Sequence, residues 1–517
     1  MNISYTSRQN TKDKLRIGSL KNDPDRHREI NEKHGGAPCG RRAFIALAGA
    51  ACFNIGHAAT LPRTGGKGRR LRLALVGCGD RGVNCLLQEM ANEQVVAFAD
   101  PNQKRIEAAY AKMRKLDPTV DASKIRSFRD YREMFDKAAG EIDAVVIASN
   151  NNHHALPALL AMRRGIHVYV EKPMAQTVEE VLAMHAAAKR YGVVTQVGHQ
   201  GHSAHGIRLA AEYMAAGAFG EVKEVWCWQG AMQARPSCPP RVAPPAWIDW
   251  DVWCGGSPVC GWYAADEMFP ELSRHDWHSW IDYGNGTVGN WAAHIFDTPM
   301  FMLGLDKTPP VSVEAKEVVF GAEGGWPMRT HVEFTFPARG KSPPVKLHWY
   351  DGIRDGVSFT KPYYEGGLDG RIYRREDQFL PPELVEEEKR HCAGKKGASF
   401  GSMGTMIRID GGVVTFGGWG AGPCFWPNGL HKKFPKPPQL FKRVNSHFGD
   451  FCDAIREGRK ASMDFDYGAP LGTLIALANA AQRAGLKKLL WDGRRFTNDE
   501  QANAYITKDY RLGWSIT

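Results

Sequence analysis

The chain has 517 residues, 43% apolar and 24% charged, which is too long for one compact core and typical of a folded protein with two or more domains. Its formal charge is +11, but residues 1–70 hold 14 Lys or Arg against 5 Asp or Glu, leaving 53 against 51 for the remainder. The nearly neutral body excludes a basic nucleic-acid groove. Eleven cysteines without a C-x-x-C pair exclude a disulfide scaffold or structural zinc site.

Residues 1–65 form a basic leader. It pairs Arg41 with Arg42, places Phe44 and Ile45 next, and continues into a short apolar run that ends in small residues. This pattern resembles a twin-arginine export signal and predicts a periplasmic protein, although a disordered basic tail stays open as the alternative. Because the apolar run is short and interrupted, no membrane span is predicted.

A glycine-rich loop follows the first predicted strand, residues 71–76. The stretch "GCGDRG" places Gly77, Gly79 and Gly82 in the spacing G-x-G-x-x-G. Gly77 permits a tight turn, Gly79 leaves room for a pyrophosphate, and Gly82 lets the next helix pack on the strand. The loop therefore predicts a dinucleotide site.

The second predicted strand, "QVVAFAD", ends at Asp100, 23 residues after Gly77. A carboxylate at this position accepts hydrogen bonds from the ribose hydroxyls of NAD and repels a 2′-phosphate. NAD is thus the predicted cofactor, while Lys104 and Arg105 nearby leave NADP open.

Strands and helices alternate from residue 66 to residue 196, which predicts an α/β fold with a doubly wound parallel sheet, a Rossmann domain. Ligands collect where the strands of such sheets end. Three segments meet there, the glycine loop, the loop Ser149–His154 and the stretch "YVEKPMA" around Lys172. A solvated Glu171–Lys172 pair at a strand end is the competing interpretation.

The chain resembles the Gfo/Idh/MocA oxidoreductases through "GCGDRG", "YVEKPMA", "GHQGHS", "GNWAAHIFD" and "YRLGWSI". The resemblance implies that Lys172 lies beside the nicotinamide and the substrate hydroxyl. We assign nucleotide contacts to residues of the three strand-end segments: Gly77, Gly79, Arg81, Gly82, Asp100, Asn150, His154, Glu171 and Lys172.

Residues 197–517 are predicted to form an α+β domain with a large, mostly antiparallel sheet open on one face. An insert is expected at about 352–400, and C-terminal helices are expected to pack back on the body. By resemblance, the open face predicts a homodimer or homotetramer, since apolar sheet faces seek cover.

The stretch "GNWAAHIFD" places Asn290, His294 and Asp297 on one helix face. An imidazole is suited to accept a hydroxyl proton, so Lys172 and His294 are the predicted catalytic residues, with a structural histidine as the alternative. The family has aspartate where this chain has Asn290, and an amide cannot act as a base. The predicted substrate-binding residues are Asn290, Asp297, Gln200 and Tyr283.

Two further patterns carry weaker signals. The histidines could mimic metal ligands, but their spacing is not convincing and no metal is predicted; they are His199, His202 and His205, and His275 and His278 with His294. A dense set of aromatic residues could stack on a sugar but is more typical of packing: Trp247, Trp250, Trp253, Trp277, Trp280 and Tyr283.

Three functions remain in view. The first is an exported NAD(P)-dependent oxidoreductase that holds its cofactor tightly and acts on a hydroxyl of a sugar, cyclitol or glycoside. The second is a redox-neutral NAD-dependent glycosidase, which needs no carboxylate pair at the glycosidic bond. The third is a nucleotide-bound binding protein, favoured by Asn290. The expected partner in each case is a small carbohydrate-like molecule, without nucleic acid.

Overall fold

The computed structural model describes residues 68–262, 276–357, 371–395 and 398–516. The leader, with its predicted export signal, and His275 lie outside the described residues. Within the described ranges, none of the helices is long and apolar enough to cross a membrane.

The first domain is built on six parallel strands in the order β3-β2-β1-β4-β5-β6. Each strand is short, and all except the edge strand β3 are almost wholly buried, as expected for a parallel sheet covered by helices on both faces. The strands are β1 Arg72–Val76, β2 Gln94–Ala99, β3 Arg126–Phe128, β4 Ala144–Ile147, β5 His167–Glu171 and β6 Thr195–Gly198. The predicted Rossmann sheet is confirmed.

Helices on this sheet begin and end at capping residues. The side chain of Asn102 accepts from the Lys104 N–H, and Thr177 and Glu180 form a capping box. Gly192, with φ of 62°, ends the latter helix. A π-helical turn, Arg81–Leu86, precedes the first helix; the helices are α1 Leu87–Met90, α2 Gln103–Leu116, α3 Tyr131–Ala138, α4 Ala155–Met162 and α5 Val178–Tyr191.

The second sheet has eight strands in the order β15-β14-β13-β7-β11-β10-β9-β16. All neighbours are antiparallel except β7 and β11, so the sheet is mixed. Its strands are β7 Glu224–Gln229, β9 Ser312–Val319, β10 Arg329–Phe336, β11 Val345–Gly352, β13 Met403–Ile409, β14 Gly412–Phe416, β15 Pro423–Trp426 and β16 Lys488–Leu490. A separate pair joins β8 Ala231–Met232 to β12 Arg371–Ile372.

Long helices fill the space between the two sheets. The helix carrying His294 is buried along nearly its whole length and packs against the helices His205–Ala215 and Phe465–Ala484, so it is held rigidly. These helices are α6 His205–Ala215, α7 Trp250–Cys254, α8 Gly286–Leu303, α10 His447–Glu457 and α11 Phe465–Ala484.

The outer face of the second sheet is partly covered from within the chain. Helix α9, Pro382–Cys392, lies in the predicted insert and buries Leu384 in a cluster with Trp226, Trp228 and Tyr350. On the neighbouring strands β10 and β11, this face carries polar side chains, among them His331, Glu333, Lys346 and His348. The expectation of an apolar face awaiting a partner is therefore not met.

Candidate functional site

A cavity of about 460 Å³ lies where the parallel strands end, between the first sheet and α8. The structure brings eleven of the predicted site residues to its wall: Gly77, Gly79, Arg81, Asp100, Asn150, His154, Glu171, Lys172, Gln200, Asn290 and His294. The nucleotide residues and the catalytic residues thus share one space, although they come from segments more than 200 positions apart.

The glycine loop turns tightly because Gly77 has a φ of +90° and its N–H donates to Ala99. A Cβ on Gly77 would lie 2.5 Å from the Ser149 nitrogen. A Cβ on Gly82 would lie 2.2 Å from the Gly77 oxygen, so Gly82 serves close packing and does not line the cavity. Gly82 is therefore corrected from a contact residue to a packing residue.

Asp100 is buried at the end of β2. Its two carboxylate oxygens accept from the backbone N–H groups of Cys78, at 2.7 Å, and Asn102, at 2.8 Å. Burial raises the pKa of Asp100, while Arg105 and these N–H groups act in the opposite direction. The side chain is held toward the cavity with Arg105 beside it.

Glu171 at the end of β5 is fixed by two partners. Arg81 donates to its Oε1 at 3.0 Å, and Gln200 donates to the same oxygen at 3.0 Å. The pKa of Arg81 is raised, chiefly by the Glu171 carboxylate. The pair ties the glycine-loop helix to the strand that carries Lys172, which contradicts a freely solvated Glu171–Lys172 pair.

Lys172 is half-buried and reaches across the cavity to α8. Its ammonium donates to the backbone oxygen of Asn290, at 3.0 Å, and to the side-chain Oδ1 of the same residue. Asn290 is 2% exposed. The amide therefore positions the ammonium but supplies no negative charge to neutralise it.

His294 lies one helical turn beyond Asn290 and is 4% exposed. Burial lowers its pKa well below the ordinary value, and the neighbouring His199 and Lys172 lower it further. Its Nδ1 is sealed from solvent and has no hydrogen-bond partner among the described residues. The lowered pKa favours the neutral imidazole, which is the form that can accept a proton.

Asp297 does not line the cavity. It is fully buried, and its carboxylate lies 3.0 Å from His202 Nδ1 and 3.1 Å from His199 Nδ1, while Tyr467 donates to it at 2.5 Å. Burial alone would raise its pKa, but the two histidines hold the pKa well below its usual range. Its predicted substrate contact is corrected to a support behind His199, whose ring centroid is 4.8 Å from that of His294.

Tyr283 is also corrected. Its hydroxyl donates to the Pro258 carbonyl at 2.6 Å, and its ring packs on Trp253, so it belongs to a tryptophan-rich core and does not line the cavity. Trp250 and Trp253 stack at 4.4 Å in the same core, as the packing interpretation predicts. Trp253 and Trp277 also line the cavity.

The loop from Ser149 to His154 closes one side of the cavity. His154 Nδ1 lies 2.7 Å from the Pro173 carbonyl, which links the loop to the strand end behind Lys172. His153 bridges the Tyr131 hydroxyl, at 3.1 Å, and the Trp253 carbonyl, at 2.9 Å. Asn150 donates to Asn152, and its side chain faces the cavity wall.

The two histidine patterns noted in the sequence do not come together as a metal site in the described residues. His199 and His202 face Asp297, whereas His205 accepts from Arg443 on the surface. Across the described residues, no group of three or more His, Cys, Asp or Glu side chains is arranged to hold a metal ion.

Sequence reasoning missed several residues of the wall: Arg129, Tyr131, His153, Val252, Trp291 and Trp419. For Trp419 a signal was present, since "GGWGAG" places one large side chain inside a glycine-rich turn. His153 lies in the predicted Ser149–His154 loop and Trp291 follows Asn290, so their segments were indicated by the sequence. Arg129, Tyr131 and Val252 reach the cavity only through tertiary packing.

The residues present fit a dinucleotide. On the cavity side, a Cβ at Gly79 would contact only the Arg105 side chain among the described residues, so the loop backbone is open to a pyrophosphate. The helix beginning at Arg81 has no side-chain cap, which leaves its first N–H groups for an anion. Asp100 stands where a ribose would be held.

Residues 71–199 match the model of an oxidoreductase family with an NAD-binding Rossmann fold, GFO_IDH_MocA. The match indicates that the first domain is a Rossmann domain of the NAD-binding type. Over residues 71–199 the predicted resemblance to the Gfo/Idh/MocA family is confirmed, and the matched family is one that binds NAD through this fold.

Known proteins are similar over part of their length. Levoglucosan dehydrogenase of Pseudarthrobacter phenanthrenivorans is 35% identical over 96 residues, 19% of this chain and 24% of that protein. Glycosyl hydrolase family 109 protein 1 of Bacteroides fragilis is 30% identical over 116 residues, 22% of this chain and 25% of that protein. The matches thus span about a quarter of each relative.

Solved structures share the fold. The WlbA dehydrogenase of Bordetella pertussis, in complex with NADH and UDP-GlcNAcA, superposes with a TM-score of 0.51 at 18% identity. The match covers 82% of this chain and 99% of that one. It therefore extends over both sheets.

Proposed function

We propose that this protein is an NAD(P)-dependent oxidoreductase that acts on a hydroxyl of a sugar, cyclitol or glycoside. The observation that carries the proposal is the single cavity, which joins the glycine loop, the Lys172 ammonium and the neutral His294 imidazole. An alcohol oxidation needs a cation at the oxygen and a base for its proton, and these two side chains are of the required types.

The residues divide the work as follows. Lys172 binds the substrate oxygen and stabilises the negative charge that develops on it, and His294 accepts the hydroxyl proton. Bound NAD supplies the acceptor for the hydride that leaves the carbinol carbon. Asn290 holds the ammonium through an amide oxygen and adds no negative charge beside it.

The substrate class rests on the relatives and on the wall. One similar protein is named for levoglucosan, an anhydrosugar, and another for glycoside hydrolysis. The cavity wall combines tryptophans with amides, histidines and Lys172, a mixture suited to a molecule with apolar C–H faces and many hydroxyls.

A redox-neutral glycosidase is the second candidate, favoured by the similarity to the glycosyl hydrolase. In that case a sugar hydroxyl is oxidised with transfer of hydride to the bound nucleotide, elimination breaks the glycosidic bond and releases the alcohol, water adds to the double bond so formed, and the hydride is returned to the carbonyl carbon. Incubation with an aryl glycoside distinguishes the two candidates, because only the glycosidase releases the aryl alcohol without net accumulation of reduced nucleotide.

Export is proposed from the leader. An exported enzyme would leave the cytoplasm folded around a cofactor that it rarely releases. Replacement of Arg41 and Arg42 by lysine should keep the protein in the cytoplasm, measured by fractionation and immunoblot against the unmodified chain. Equal amounts of both proteins in the periplasmic fraction would contradict the proposal.

The decisive experiment purifies the protein without added cofactor, denatures it and identifies released nucleotide by mass spectrometry. Stoichiometric NAD or NADP supports tight retention and distinguishes the two. Lys172→Ala should keep the nucleotide but lose turnover by roughly a thousandfold, as expected for removal of a group that acts in the transition state. An empty protein that binds neither nucleotide would overturn the proposal.

A further inference from the structure

We propose that Trp419 is the residue on which a substrate ring stacks, so that the cavity selects cyclic sugars with an apolar C–H face over open-chain polyols. The proposal rests on the proposed function and names the substrate subsite. Trp419 lies in the turn between β14 and β15 and reaches the wall of the cavity.

Its position places it beside the predicted base. The ring centroid of Trp419 is 5.4 Å from that of His294 and 5.4 Å from that of Trp291. A molecule lying on the indole is therefore within reach of the imidazole. Trp291 is 3% exposed, whereas Trp419 is 45% exposed, so its indole retains a large area that a ligand can cover.

The backbone at Trp419 is unusual. Its φ is 55°, and in the part of the chain that the structure describes it is the only residue other than glycine with a positive φ. A bulky side chain in the left-handed region costs conformational energy, and such strain concentrates at functional sites. Glycines at 417, 418, 420 and 422 flank it. The chain therefore places a tryptophan in a left-handed backbone conformation that glycine would adopt without strain.

Close packing holds the strained turn in place. A Cβ on Gly201 would lie 2.7 Å from the Trp419 Cα, and a Cβ on Gly206 would lie 2.3 Å from the Gly420 oxygen. Gly201 neighbours Gln200, which also lines the cavity. The turn is therefore fixed on the segment that carries part of the site, and the indole is preorganised.

An indole face attracts the C–H bonds on one side of a pyranose ring, while the hydroxyls project sideways. Open-chain polyols have no such flat face. A ring seated on Trp419 would present a hydroxyl toward His294 and Lys172, so loss of the indole should weaken cyclic substrates specifically.

The test compares Trp419→Gly with Trp426→Ala, a tryptophan on β15 outside the cavity wall that packs on Phe400 with ring centroids 5.0 Å apart. The probes are methyl β-D-glucopyranoside, levoglucosan and open-chain glucitol, and the readout is reduction of the resident nucleotide. Melting temperature and bound nucleotide are measured on the same samples.

We expect Trp419→Gly to keep its melting temperature and nucleotide while kcat/KM for the cyclic probes falls roughly tenfold or more. Trp419→Phe should stay within about threefold of the parent protein. Trp426→Ala should show the opposite pattern, a lower melting temperature with unchanged kcat/KM.

A fall of about 5 °C or more in Trp419→Gly would assign Trp419 to packing and overturn the proposal, as would an unchanged kcat/KM. If the parent protein reduces its nucleotide with none of the probes, the proposed substrate class fails on its own. The melting temperature of Trp419→Gly still tests whether Trp419 has a packing role. Because glycine relieves the backbone strain, a residue without a packing role should show no loss of stability when it is replaced.

Discussion

At the scale of single residues, the amide of Asn290 sets the position of the Lys172 ammonium. Asn290→Ala removes the side-chain acceptor and leaves only the backbone oxygen, so we expect kcat to fall roughly tenfold while bound nucleotide is unchanged. Asn290→Asp keeps an acceptor oxygen at the same place and should stay within about threefold of the parent. Steady-state kinetics check both, and an equal loss in the two variants would contradict a positioning role.

Buried histidines make the stability depend on pH. Burial lowers the pKa of His153 to about 4 and that of His447 to about 3. Below pH 6.5 the unfolded chain therefore binds protons that the folded chain does not, and stability falls as the pH falls toward 4. For His153 the shift corresponds to about 3 kcal/mol. Unfolding by urea between pH 7 and 5 should show this loss, and His153→Gln should reduce the slope.

At the scale of elements, a C-terminal segment, residues 508–516, packs against residues that form the wall of the cavity. The Trp514 ring lies 5.7 Å from that of His153, and the Arg132 guanidinium lies 3.7 Å from its centroid. Arg511 pairs with Asp251 at 2.7 Å. The segment thus connects the first domain, through His153 and Arg132, to the second domain, through Asp251.

We expect Trp514→Ala to speed nucleotide release roughly tenfold, because His153 then loses its packing partner. Release can be followed by the loss of bound nucleotide during dilution and filtration. Leu512→Ala is the matched control, since Leu512 is fully exposed in the same segment. Equal release from the two variants would mean that the segment does not govern retention.

An element can be predicted from the sequence when the residues that determine it are close to it in the chain. The starts of helices α2, α3 and α5 can be read from the sequence because their capping residues, Asn102, Asp130 and Thr177, directly precede them. Strand β7 was not predicted, although it is central in the second sheet, because its pairing with β11 and β13 joins residues far apart.

The same distinction applies to the candidate site. Gly77, Asp100 and Lys172 stand in motifs whose spacing indicates their role, whereas the corrected roles of Asp297 and Tyr283 depend on which side of a buried helix or core they face. Trp419 escaped prediction because its turn packs on Gly201 and Gly206, more than 200 positions earlier.

At the scale of the whole molecule, association through the outer sheet face would be electrostatic. The part not covered by α9 carries Glu333 and Lys346. The homodimer or homotetramer stays a prediction. We expect light scattering to give a multiple of 57.4 kDa at low salt and a smaller species in about 1 M salt, where charge interactions are screened. A salt-independent dimer would point to another, apolar surface.

The contact between the C-terminal segment and the first domain can form only late in biosynthesis. Arg132 donates to the Gly513 carbonyl, a contact that spans 381 residues. At roughly 5–20 residues per second, a ribosome needs about 20–75 s to make the chain between them. The first domain therefore emerges long before Gly513, and the contact between Arg132 and Gly513 forms only after the C-terminal segment has been synthesised.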